Sequence, residues 1–157
     1  MTPDRLEALE MQAACIDLVN RYAQAVNDHD VETFVGLFAA DGEWARPGMV
    51  MRGQGEIRAF IALRFTPAYP VRHVNGGVVV DRVGPDEARV RSITCVFDAA
   101  RMADGKALMT SPAYLAEYDD RIRSIDGAWR IQRRDTTVTF ISAGAQPLPG
   151  ITPPKGD

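Results

Sequence analysis

The chain has 157 residues, 46% of them hydrophobic and 25% charged, with a formal net charge of -3. That length and balance fit one globular domain around a single core. No basic block points to nucleic acid, and no apolar run approaches the roughly 20 residues that span a bilayer.

In chain order, "TPDR" opens a long helix. Thr2 can cap it, Pro3 fits the first turn, and Asp4 suits its positive end. This charged start reads as a helix rather than a signal peptide. Leu9, Ile16, Val19, Ala23 and Val26 recur near helical spacing along it. Asp30 opens a second, shorter helix with Phe34, Val35, Leu37 and Phe38 on its apolar face, and Asp41-Gly42 is expected to end it. "EWARPGMVMRG" suits two short strands around a Pro-Gly turn. "GEIRAFIALRF" is a third helix with Ile57, Phe60, Ile61 and Phe65 inward.

Sheet follows. "VRHVNGGVVVDRV" alternates in part. "EARVRSITCVFDA" sets Val90, Ser92, Thr94 and Val96 against Arg91, Ile93, Cys95 and Phe97. "RMADGKALMT" is a long connection, and "PAYLAEYDDRIRSI" is another strand. Asp126-Gly127 between two β-rich runs is a strong hairpin signal, leading into the last strand, "AWRIQRRDTTVTFI". Helices followed by a meander of strands imply an α+β fold, with a curved antiparallel sheet wrapped around the long N-terminal helix and two shorter helices. The open end of such a cone is a natural pocket. Residues 1–142 form the domain, and residues 143–157 form a Pro-rich tail. Cys15 and Cys95 match no disulfide or metal spacing and read as buried apolar side chains of a cytoplasmic protein.

"YAQAVNDHDVETFVGLFAADGEW", "GQGEIRAFI", "VRHVNGG" and "AEYDDRIRSIDGAWRIQRR", in this order and spacing, carry a resemblance over residues 8 to 140. The chain resembles the SnoaL-like branch of the NTF2-like superfamily. The resemblance implies the cone fold and a pocket for a small hydrophobic molecule. It implies no cofactor and no metal. It also implies a homo-oligomer, a dimer or trimer, which would bury the outer face carrying Ile93, Cys95 and Phe97.

The dehydratases and dehydrochlorinases of this family are cofactor-free lyases. A strand His acts as base, and an Asp near the end of the first helix orients it. Carried over, the His is His73 and the Asp position falls on Asn27. The resemblance adds Tyr22 and Arg134 to the catalytic group. It puts Trp44, Thr94, Val96, Tyr114, Thr136 and Val138 on the substrate-binding wall. Asn27 can accept the His Nδ1–H but cannot supply the negative charge. Asp28 is a candidate substitute, Asp98 could reach the mouth, and His29 is expected in solvent. Two functions follow. One is a lyase or isomerase moving a proton on a cyclic or aromatic substrate. The other is a non-catalytic ligand-binding or subunit-type protein, which the loss of the Asp favours.

Overall fold

The computed structural model describes residues 3–65, 70–98, 102–103, 106–107, 112–143 and 145. Thr2 and almost all of the Pro-rich tail lie outside the described residues. The chain runs α1 (Pro3–Asp28), α2 (Val31–Gly36), β1 (Phe38–Arg46), β2 (Met49–Arg52), α3 (Gly53–Arg64), β3 (Val71–Gly84), β4 (Glu87–Asp98), β5 (Met102–Ala103), β6 (Lys106–Ala107), β7 (Tyr114–Ile125) and β8 (Ala128–Ile141). β5 and β6 pair as a short ribbon inside the long connection.

The other six strands form one curved sheet in the order β2-β1-β8-β7-β4-β3. The α+β cone is as expected, with one difference. The sheet is mixed, because β1 and β8 run parallel. A parallel pair needs a long crossover, and most of the chain lies between these two strands.

α1 buries Met11, Cys15, Leu18, Val19, Tyr22, Ala25 and Val26 against the sheet. Leu9, expected on this face, is exposed. At about 100° per residue it lies roughly 140° around the helix from the centre of that stripe. Cys15 is fully buried, and burial above all pushes its thiol up to about 11, so it is inert. Cys95 is only half-buried. Neighbouring outward positions carry exposed Val74 and Ile93.

Asp30 caps α2 as expected, accepting from the Thr33 amide at 3.0 Å. The helix ends at Gly36, before Asp41-Gly42. That dipeptide lies inside β1, where the register to β8 shifts between Phe38 and Glu43. A Cβ at position 42 would stand 2.8 Å from the Ile131 carbonyl oxygen, so close strand approach, not a helix stop, requires the glycine. Asp126 and Gly127 both have positive φ, 52° and 76°, as a tight β7–β8 hairpin demands.

Candidate functional site

Helices and sheet enclose a cavity of about 120 Å³. Tyr22 enters from α1, and Trp44 and Arg46 from β1. Phe60 and Arg64 come from α3, with Phe65 just beyond it. The sheet adds His73 from β3, Val96 and Asp98 from β4, Tyr114 and Tyr118 from β7, and Thr136 and Val138 from β8. The wall is largely aromatic. The Trp44 ring meets Phe60 edge-on at 5.6 Å and Tyr22 edge-on at 6.3 Å. Its indole N–H is satisfied by Thr136 Oγ1 at 3.0 Å, which fixes the ring.

His73 faces this cavity, and Asn27 touches it, but through the backbone. The Asn27 Oδ1 accepts from the His73 amide at 2.6 Å, and its Nδ2 donates to the His73 carbonyl oxygen at 3.2 Å. β3 is the edge of the sheet, so Asn27 occupies the place a neighbouring strand would take. The expected bond from the ring to Asn27 is therefore not made. The ring Nδ1 is enclosed and has no partner among the described residues. Burial, and then the Arg134 charge, push the His73 imidazolium down to about 4, so the ring is neutral at pH 7. Asp28 does not substitute for the missing Asp. It is exposed and accepts from Gln24 Nε2 at 2.6 Å.

Arg134, expected to reach into the pocket, lies behind the pocket's aromatic wall instead, fully buried. Its Nε and Nη2 donate to the two Asp120 oxygens at 2.7 and 2.6 Å. Its guanidinium lies 3.8 Å from the Tyr22 ring centroid and 4.1 Å from that of Tyr118. Burial alone pushes the guanidinium pKa down. The facing carboxylate outweighs that and holds it charged. Thr94 is buried in the same layer, where its hydroxyl bonds Asn75 Oδ1, and Asn75 Nδ2 donates to the Val19 carbonyl at 2.9 Å. Asp120, Asn75 and Tyr118 are additions to the residues expected from the sequence.

So are Arg46 and Arg64. The Arg46 guanidinium lies 5.6 Å from the Trp44 centroid and 5.1 Å from the Phe60 centroid. Its Nε is enclosed and unpartnered among the described residues. Among those residues, no carboxylate stands within 4.0 Å of either arginine. Burial pushes the Arg46 pKa down, and the Arg64 charge adds to that.

His29 is not simply solvated. Its ring stacks on Phe65 at 5.4 Å, and its Nε2 is enclosed without a partner among the described residues. Asp98 does line the pocket. No group of three or more metal-ligating side chains occurs among the described residues, and no helix there is long and apolar enough to cross a membrane.

Several solved structures share this fold. An NTF2-like protein with a cystatin-like fold from Novosphingobium aromaticivorans is 27% identical, with TM-score 0.73 and coverage of 90% of each chain. A function unknown protein from Mycobacterium tuberculosis is also 27% identical, with TM-score 0.72, covering 88% of this chain and 76% of that one. The hexachlorocyclohexane dehydrochlorinase LinA-type3 from Novosphingobium barchaimii LL02 is 16% identical, with TM-score 0.74, covering 92% of this chain and 99% of that one. No curated protein matches by sequence. The SnoaL-like domain family matches residues 7–135, most of the helices and sheet just described, and the chain belongs to that family.

Proposed function

We propose that the pocket is the active site of a cofactor-independent lyase or isomerase, in which His73 moves a proton on a small hydrophobic cyclic or aromatic substrate. The observation that carries this is the His73 ring: neutral, facing an aromatic cavity, with an enclosed Nδ1 that nothing among the described residues engages. A buried polar atom without a partner costs stability, so a ligand that engages it gives the position a purpose. The backbone clamp by Asn27 holds the strand beneath the ring. The Tyr22 hydroxyl, driven up by burial, stays protonated on the cavity wall beside Tyr118. Tyr114 stands on the same wall.

A base with a pKa near 4 is weak. The abstracted proton must then be acidic, as beside a carbonyl. The fold shared with a dehydrochlorinase supports elimination as one outcome of that proton transfer.

The test is proton exchange. Bicyclic ketones such as 2-tetralone are incubated with the protein in D2O and followed by NMR. Exchange should be catalysed and should fall at least about 100-fold in His73→Ala. Exchange that survives the substitution would overturn the assignment.

A non-catalytic binding role is the second reading. It is favoured by the commitment of the Asn27 amide to backbone, which leaves the His73 ring Nδ1 without an orienting partner among the described residues. Under either reading, the exposed Ile93 and Val74 suit burial against a second copy of the chain. Light scattering should give a mass above that of a monomer, and a clean monomer at micromolar concentration would exclude such an assembly.

A further inference from the structure

We propose that Arg46 is the anion-binding group of this pocket, and that its ligand is a small aromatic or alicyclic acid whose carboxylate seats on the guanidinium. This rests on the reading of the cavity as a ligand site and names the class of ligand.

Arg46 is half-buried, with an enclosed Nε that nothing among the described residues engages. Its neighbours on the sheet are treated differently. Arg52 on β2 has Glu43, and Arg133 on β8 has Glu43 and Asp135. Arg46 has the rings of Trp44 and Phe60. Rings attract a guanidinium through their faces, but they do not accept the N–H bonds that lie in its plane. Those donors remain available. A desolvated cation without a counter-charge is unfavourable in a finished structure, and a bound anion removes the penalty. Arg64 shares the wall and adds a second positive charge, with no described carboxylate within 4.0 Å.

The shape of the ligand follows from the rest of the wall. The space of about 120 Å³ is bounded mainly by aromatic and aliphatic side chains, so the ligand's body is apolar and compact. A planar carboxylate matches the guanidinium fork with two parallel bonds. A more highly charged phosphate would also have to face Asp98, which lines the same cavity. An apolar ring with one carboxylate satisfies the arginine and the aromatic wall together. His73 then lies in the same cavity as the body of the molecule, where its neutral nitrogen can act on it.

The experiment compares 2-naphthoate with its neutral isostere 2-naphthamide, by calorimetry at pH 7.5 and low salt. The acid should bind at least about tenfold more tightly than the amide. Arg46→Gln should weaken the acid far more than the amide and bring the two to within about threefold of each other. Arg46→Lys should keep part of the preference, since it retains charge but loses the fork. A melting temperature for Arg46→Gln at or above the parent's guards against misfolding. Equal binding of acid and amide, or equal weakening of both by Arg46→Gln, would overturn the anion site while leaving the pocket reading intact. Binding of neither compound would overturn both.

Discussion

Arg134 and Arg46 stand on two sides of one aromatic wall, and comparing them separates structure from function. Arg134 is fully enclosed between Tyr22 and Tyr118, with Asp120 bonded to two of its nitrogens. Arg46 touches Trp44 and Phe60 on the cavity side, with no described carboxylate beside it. Similar chemistry surrounds both. The layer behind the wall has its charge pair neutralised, although Arg134 Nη1 and Ser92 Oγ also lack partners among the described residues. The cavity side leaves Arg46 Nε and His73 Nδ1 without partners among the described residues. A neutralised buried charge belongs to the scaffold. An unneutralised one marks where the molecule expects something else.

The largest effect should come from breaking the neutralised pair. Asp120→Ala or Arg134→Met leaves one charge buried alone, and either should cost about 3–5 kcal/mol in urea unfolding. The double variant Asp120→Leu with Arg134→Met should recover much of that loss, because no orphan remains. Single variants costing under about 1 kcal/mol would mean that water reaches the pair, and the contrast with Arg46 would collapse.

His73 comes next, because it sits between the two regions and feels the Arg134 charge. Its folded pKa of about 4 lies below the ordinary 6.5. Between those values the unfolded chain binds the proton more readily than the folded one. Stability is therefore full above about pH 6.5 and falls as pH drops toward 4, by up to about 3 kcal/mol from this group. In His73→Gln that part of the slope should disappear. A variant with the same slope as the parent would show that the ring is not desolvated.

Asn27→Asp should cost about 1–3 kcal/mol. The family resemblance implies the opposite: an Asp at position 27 would orient the histidine, raise the His73 pKa and increase activity. The geometry reverses that. One carboxylate oxygen could still accept from the His73 amide, but the other would face the His73 carbonyl oxygen, where Asn27 now donates. An NMR titration of His73 in Asn27→Asp decides between them. A raised pKa with unchanged stability would mean that the side chain turns to the ring, and would revive the dyad.

What the sequence makes legible follows from locality. The Asp30 cap, the Asp126-Gly127 turn and the helix periods are set by neighbouring residues, and they predict these elements well. Site contacts depend on register. From a two-residue turn at 126–127, an ideal hairpin pairs Asp120 with Arg133. The shift between Arg121 and Ile122 moves it to Arg134, a partner on the buried face. The Asn27 clamp needs the distance from a helix end to a sheet edge, which no local pattern encodes. Arg46 and Arg64, by contrast, are readable. Arg46 is two residues from Trp44 on a strand, and Arg64 is three from Ile61 on a helix, so each shares the face of an inward residue. They escape notice because a charge beside a Pro-Gly turn, or at a helix end, usually belongs to the surface.

The smallest effect should also have the opposite sign. Arg46→Met removes a half-buried cation that no described carboxylate neutralises and keeps a side chain long enough to cover Trp44 and Phe60. The lost contact with two rings is worth about 0.5–1 kcal/mol. The relieved desolvation and the relieved repulsion from Arg64 offset it. The unliganded variant should therefore be as stable as the parent, or more stable by up to about 1 kcal/mol. Removing Arg134, the same residue type on the other side of the wall, should cost several times that. Parallel urea titrations of Arg46→Met and Arg134→Met measure the difference directly. A loss above about 1 kcal/mol in Arg46→Met would show that Arg46 holds the wall together, and the distinction between a scaffold arginine and a ligand arginine would fail.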